Sequence, residues 1–297
     1  MARARTRRKK KKTASKNRSR FSRIDFKKIV YTLCLLSFLV FSIGVLTYVI
    51  FFRMVVAAEL ESVPNPPMCE EADGRVERVD LPECAIIIDD MGYHHEIGKK
   101  MIDLPLNLSF SFLPHAPYTS ELENMAFRLG RTILLHLPLQ PKDNTWDPGP
   151  GALYVDEQAQ QESLFLQNIK MVPHAVGVNN HMGSFYSEDK TAMTSLLELI
   201  DARRLFYVDS YTTPNSLGYT LAQQKEIRSA RRHIFLDNVE EVEAICERLS
   251  ELMRIALQHG QAIGIAHPHK ETLTALQSCI DSKRSPVKFV GVEKLVN

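Results

Sequence analysis

Apart from a basic tail at its start, this 297-residue sequence has no internal repeat and no low-complexity stretch, which excludes repeat arrays such as solenoids. Tryptophan occurs once and cysteine five times. A net charge of +2 shows little excess of either sign but conceals a strong asymmetry. Residues 1–28 hold 14 Lys or Arg and one acid, Asp25, leaving 23 bases against 34 acids in the rest. Most of the chain is therefore acidic, and its length suffices for one large α/β domain or two small ones.

A second absence is of charge over residues 29–52. These 24 residues span about 36 Å as a helix, enough to cross a bilayer core of about 30 Å. The sequence thus predicts one N-terminal transmembrane helix. Arg7-Arg8-Lys9-Lys10-Lys11-Lys12 and Lys27-Lys28 would stay cytoplasmic by the positive-inside bias. The expected protein is single-pass in the inner membrane, with residues 53 onward in the periplasm or an equivalent extracytoplasmic space. A cleaved signal peptide is the alternative, since Val56-Ala57-Ala58 resembles a cleavage site, but an apolar signal core is usually only about 7–15 residues long. A basic arm can also bind nucleic acid. Its place directly before the span assigns it instead to topology and anionic lipid, so no nucleic-acid partner is expected.

Cys34 lies in the span, leaving Cys69, Cys84, Cys246 and Cys279, an even number suited to an oxidising space. The expected pairs are Cys69 with Cys84 and Cys246 with Cys279; four unpaired buried cysteines are the alternative. Residues 53–82 contain Pro64, Pro66 and Pro67 and read as a linker, and the folded domain is expected over 83–297.

Within that domain, apolar runs alternate with amphipathic stretches. Strands are expected near 84–88, 108–113, 132–135, 175–178, 205–208, 234–236 and 262–266, and helices near 95–103, 157–169, 188–201 and 239–259. Such alternation implies an α/β fold with a parallel sheet, and seven or eight strands favour a barrel-like closure.

Almost every expected strand ends in a polar residue. Ile86-Ile87-Ile88 runs into Asp89-Asp90, and Ile133-Leu134-Leu135 into His136. Val176-Gly177-Val178 leads to Asn179-Asn180-His181, Phe206-Tyr207-Val208 to Asp209, and Ile263-Gly264-Ile265-Ala266 to His267-Pro268-His269. In parallel α/β folds the C-terminal strand ends share one face, where ligands bind. Taken singly, a histidine after a strand is more often a turn residue, and Asp89-Asp90 could be a helix cap with a solvated acid. Their co-occurrence argues for a site.

A carboxylate with two imidazoles is a common zinc set that leaves a position open for water. The expected ligands of a divalent metal, zinc by first choice, are Asp90, His136 and His181. Asp89 is the expected general base and His267 or His269 the acid, with Asp209 orienting that histidine. Asn180 and Ser184 flank His181 and are expected to touch substrate. Trp146, in a Pro/Gly-rich connection after His136, could stack on a sugar ring or plug a gap.

These residues resemble the divergent polysaccharide deacetylases over about residues 83–281. Ile86-Ile87-Ile88-Asp89-Asp90-Met91-Gly92 is similar to the superfamily's opening motif, whose first Asp is implied to be the base and whose second binds metal. Leu135-His136-Leu137-Pro138-Leu139-Gln140-Pro141 stands where two metal histidines four apart are usual, with Gln140 in place of the second. His181 is the candidate for the missing ligand. Val208-Asp209-Ser210 and Ala266-His267-Pro268-His269 resemble the later Asp and His motifs. The resemblance implies a distorted (β/α)7 barrel and a membrane-anchored, metal-dependent hydrolase that removes acetyl groups from envelope carbohydrate. A catalytically inactive glycan- or partner-binding protein on the same fold is the alternative.

Overall fold

A computed structural model describes residues 35–48, 81–281 and 284–297. The chain divides into two compact units, Met1–Val76 and Glu77–Asn297. In the first, residues 35–48 form helix α1, exposed along its length. The remainder of the expected 29–52 span, the basic tail, Cys69 and nearly all of the expected linker lie outside the described residues. Among the described residues no helix is long and apolar enough to cross a membrane.

The second unit opens with β1 (Glu83–Met91), α2 (His95–Ile102), β2 (Ser109–Phe112), α3 (Thr119–Arg128) and β3 (Thr132–Leu139). It continues through α4 (Gln158–Met171), β4 (Gly177–Met182), α5 (Lys190–Asp201), β5 (Phe206–Asp209) and α6 (Gly218–Gln224). The last elements are β6 (Ser229–Arg231), β7 (Ile234–Phe235), α7 (Val242–His259), β8 (Gln261–Ala266), α8 (Lys270–Cys279) and β9 (Lys288–Phe289). All seven expected strands are present. β6 and β9 are additional, and at three and two residues they are too short for periodicity to reveal.

Every pairing is parallel, in the order β6-β5-β4-β3-β2-β1-β8-β7, with β9 also on β1. β9 pairs with Glu83 and Cys84, the part of β1 that precedes its β2 register. No ladder joins β6 to β7 among the described residues, so the sheet is a half-barrel, consistent with a distorted (β/α)7 fold.

Side-chain alternation along the strands divides the core in two. Ile86 and Ile88 face outward into the large cluster packed by the helices, whereas Ala85 and Ile87 face inward with Leu134, Phe206, Val208, Ile263 and Ile265. Helix α7 shows how the outer layer is encoded: Ile245, Leu249, Leu252 and Ala256 recur at three and four, are buried, and are followed by Gly260 in the left-handed region at φ 85°. The inner layer is closed from below by the C-terminal segment, through Val290, Val292, Leu295 and Val296. Ser109 Oγ accepts from Val292 N at 2.9 Å, Asn297 O accepts from Ser229 N at 2.9 Å, and Thr132 bonds Glu293. The chain end is thus part of the barrel.

Cys246 and Cys279 form a disulfide that ties α7 to α8. The expected Cys69–Cys84 bond is not made: Cys84 is a free thiol. It lies on β1 with its Sγ directed at Leu252 O of α7, wholly buried, and burial pushes its pKa up to about 12. Replacing Cys246 and Cys279 with serine should lower the unfolding free energy by about 2–4 kcal/mol, measured by denaturant titration. Dithiothreitol should reproduce the loss in the wild type, whereas Cys84→Ala should leave that sensitivity to reductant intact.

Candidate active site

Inward alternation on β1 passes from Ala85 and Ile87 to Asp89, which sits at the top of the barrel with 2% of its surface exposed. Asp90 would by the same alternation face away. Instead its backbone turns left-handed at φ 52°, and the register with β2 shifts between Ile88 and Met91. Such a bulge re-aims a side chain, and Asp tolerates this conformation better than a branched residue would. Two successive carboxylates therefore reach one site. Along β3 the inward series Thr132, Leu134 brings His136 to the same level, and β4 supplies Asn179 and His181 from register positions opposite His136 and Pro138. Met182 at φ 52° and Gly183 at φ 82° then turn the chain away.

The structure brings together the three expected metal ligands. Asp90 Oδ1 is 3.1 Å from His136 Nε2 and 2.8 Å from His181 Nδ1, and the two imidazole nitrogens are 3.2 Å apart. Asp90 Oδ1 is nonetheless buried without an aligned hydrogen bond. Asn179 Nδ2 donates to Asp89 Oδ1 at 2.8 Å, so Asn179 Oδ1 must be the acceptor for His136 Nδ1, 3.0 Å away. His136 Nε2 then faces a carboxylate oxygen; burial would lower the pKa of this imidazole, but Asp89 and Asp90 raise it, so without a metal the nitrogen draws a proton. With both imidazoles neutral, three lone pairs would meet here and repel unless a cation lay between them, so the donor set fits a divalent metal. Burial alone would raise Asp90, but the adjacent imidazoles of His136 and His181 hold it well below the usual carboxylate range.

Asn179, a strand-end residue to which the sequence assigned no role, is the hub of the site. Besides Asp89 and His136 it receives the Ser111 hydroxyl and donates to Ser210 Oγ at 3.3 Å. Asp89 Oδ2 lies 3.7 Å from His136 Nε2, and burial raises the Asp89 pKa against the pull of the His136 and His267 charges. A carboxylate raised toward neutrality is suited to taking a proton.

Across the site, His267 Nδ1 bonds Asp237 Oδ1 at 2.9 Å. Asp237 Oδ2 also accepts from His267 N at 2.6 Å and Thr272 Oγ1 at 2.8 Å. Burial would depress His267, but Asp237, with Asp89 and Asp90 beyond it, lifts its pKa to about 9. The same contacts hold Asp237 low against its burial. Asp237 follows β7 by two residues, so the strand-end rule, carried to the strand expected at 234–236, would have found it.

Asp209 corrects the expectation that it orients this histidine. Its Oδ1 accepts from Tyr211 N at 2.8 Å, and its Oδ2 from Ser216 Oγ at 2.7 Å and Tyr219 N at 3.0 Å, so it organises the connection from β5 to α6. His269 is more exposed than His267 and lies 3.8 Å from Glu240 Oε2. Asn180 is buried and spends its amide on Tyr207 OH, Ser210 N and Met182 O. Ser184 Oγ accepts from Lys142 N at 3.0 Å, and Trp146 is exposed in the connection after β3. A half-buried cation that sequence reasoning missed, Arg232, donates to Ser210 O and Tyr211 O at 2.7 and 2.9 Å.

Asp90, His181, His267 and His269 open into a cavity of about 250 Å³, walled by His115 and the loop at Asp147–Pro148. Residues 86–296 match the family model of the divergent polysaccharide deacetylases. The chain belongs to that family. It is 34% identical over 212 residues to an uncharacterized protein of Haemophilus influenzae, covering 71% of this chain and 75% of the other. Identity to the uncharacterized protein YibQ of Escherichia coli is 29% over 219 residues, 72% of this chain and 67% of that one. The crystal structure of an uncharacterized protein from Agrobacterium tumefaciens superposes with a TM-score of 0.68 at 26% identity, covering 76% of this chain and 92% of that one. These similarities agree with the half-barrel and place the strand-end residues of β1, β3, β4 and β8 inside the family's matched region.

Without added metal, the His267 imidazole should titrate near pH 9 by NMR. Asp237→Asn should bring that midpoint down by about one unit or more, because the charge that sustains it is gone. Since the folded pKa of His267 is raised, its contribution to stability is fully present below about pH 6.5 and is lost as pH rises through about 9.

Proposed function

We propose that this protein is a metal-dependent carbohydrate deacetylase. The observation that carries the reading is the convergence on one cavity of a carboxylate–imidazole donor set, a buried carboxylate and a charged histidine. Asp90, His136 and His181 would hold the metal, and zinc suits their mixture of one oxygen and two nitrogens. A divalent ion bound there supplies Lewis acidity to a carbonyl oxygen and acidity to a water.

The protein's own groups account for the proton movements. Asp89, fixed by Asn179, takes a proton from the water whose oxygen bonds to the acetyl carbon. His267, protonated at neutral pH and braced by Asp237, gives a proton to the sugar nitrogen or oxygen as its bond to the acetyl carbon breaks. The products are acetate and the free amine or hydroxyl. His267 suits this role better than His269, because it carries the buried carboxylate partner.

The family's name supports the acetyl group as the target and carbohydrate as its carrier. An extracytoplasmic location with an N-terminal membrane anchor is part of the proposal. It is supported by the uncharged stretch 29–52 behind a basic tail, and by the Cys246–Cys279 disulfide, which belongs in an oxidising compartment. One observation favours a second reading: Gln140 occupies the position of a usual metal histidine and bonds Val155 N at 3.0 Å instead. On that reading the domain binds glycan without hydrolysing it.

Purified protein should contain about one divalent ion per chain by metal analysis, and Asp90→Ala and His181→Ala should each lose it while retaining the fold. Full occupancy in both variants would dismantle the ligand assignment. Acetate release from acetylated cell-wall and exopolysaccharide substrates should fall by about 100-fold or more in Asp89→Asn with the metal retained. No release by the wild type across such a panel would select the binding reading.

A further inference from the structure

The connection after β3 carries the chain's single tryptophan and is built to hold it in the open. Trp146 is 62% exposed. A flexible loop would let so large an apolar ring fold back onto the protein, yet this loop is fastened at both ends and in its middle. At its start, Gln140 Oε1 accepts from Val155 N, while Gln140 O accepts from Phe185 N and Tyr186 N at 3.2 and 3.1 Å. Around the indole, Trp146 N donates to Asp143 O at 3.1 Å, and Asp147 Oδ1 accepts from Gly149 N at 2.9 Å. At its end, Asn168 Nδ2 donates to Gly151 O at 2.8 Å and Asn168 Oδ1 meets His115 Nε2 at 2.9 Å.

The loop also joins the site to further hollows. Asp147 and Pro148 wall the site cavity and, on their other side, a second hollow of about 370 Å³. That hollow shares Pro141 and Trp146 with a third of about 370 Å³, which reaches Ser184 and Thr212. The indole therefore stands between two open spaces, one adjoining the metal-binding side chains across a shared wall. Beside it lie hydrogen-bonding groups, Asn144 and Thr145 with Asp147 on one side, Ser184 and Thr212 with Lys142 and Asp143 on the other. A flat apolar face beside amides and hydroxyls complements a pyranose ring, which offers a C–H face and a rim of hydroxyls.

We propose that Trp146 is a stacking subsite for a sugar ring that flanks the ring whose acetyl group enters the site cavity. The protein then recognises a chain of linked sugars rather than a single acetylated sugar, and Gln140 serves to hold the platform in place. This inference rests on the carbohydrate reading of the site but not on hydrolysis.

A single tryptophan makes the test direct, because fluorescence excited at the red edge of the indole band, where tyrosine does not absorb, reports Trp146 alone. The intact chain is titrated with a β-linked tetramer of N-acetylglucosamine, with an O-acetylated xylose tetramer, and with monomeric N-acetylglucosamine. At least one tetramer should give a saturable shift, and the monomer at equal concentration should not. By calorimetry, Trp146→Ala should weaken binding of that tetramer about five-fold or more, as loss of a stacking face does, and Trp146→Phe should restore most of it. Acetate release is followed in the same samples. A saturable shift without acetate upholds the subsite while removing the deacetylase reading. Acetate release with silent fluorescence, equal responses to monomer and tetramer, unchanged affinity in Trp146→Ala, or silence towards both tetramers would each overturn the subsite.

Discussion

A carboxylate buried at the mouth of an apolar barrel is the constraint on which the site depends. Removing an unpaired ionised group from water costs several kcal/mol even after relaxation, so Asp89 is tolerable only with partners. The structure supplies them from four other strands or strand ends: the Asn179 amide, the imidazoles of His136 and His267, and the Arg232 guanidinium, whose charge is held between Ser210 O and Tyr211 O. Arg232 feels Asp89 in return, although burial brings its own pKa down to about 10. The polar layer at the top of the barrel is thus an electrostatic unit. Removing one member exposes the others to an uncompensated buried charge.

That layer needs a firm floor, and the sheet does not close to provide one. With no ladder between β6 and β7, the inner face of the half-barrel would be open to water from below. The C-terminal residues close it, setting Val290, Val292, Leu295 and Val296 against Ile87, Leu134, Phe206 and Ile263. Each such aliphatic side chain contributes about 1.5–3 kcal/mol through burial. Because the plug is bonded to β2, β3 and β6, it also fixes three strands relative to one another. The upper ends of β2 and β3 carry Ser111 and His136, so the plug bears on the geometry of the site from the opposite end of the same strands.

How much of this was legible follows from which signals are local. The strands and the acid–histidine endings of β1, β3, β4 and β8 could be read because apolar runs that stop at a polar residue are a feature of contiguous sequence. The three-ligand cluster followed from treating those endings as one face. What escaped depends on pairing across the barrel. Asn179 looks like a turn residue until its amide is seen to span Asp89 and His136. Asp209 and Asp237 both follow short strands, and only the packing shows which of them faces His267. The left-handed backbone at Asp90 was equally invisible, although it alone lets adjacent acids serve one site. Cys84, expected to pair with Cys69, is instead a free thiol on a strand, facing the core.

Gln140 ties the site's departure from the usual motif to its surroundings. A histidine four residues after His136 would have been a second metal ligand from the same strand. With glutamine there, the second imidazole comes from β4, whose register sets His181 opposite Pro138. If Asp90, His136 and His181 hold a metal as proposed, the end of β3 is free of it. Gln140 uses that freedom to anchor the following loop through Val155, and its carbonyl holds the turn that begins at Phe185, just past His181. One residue therefore braces both the loop that walls the cavity and the segment that follows His181. Gln140 thus spends its side chain and its carbonyl on the wall beside the cavity, while Asp90, His136 and His181 keep three donor atoms together.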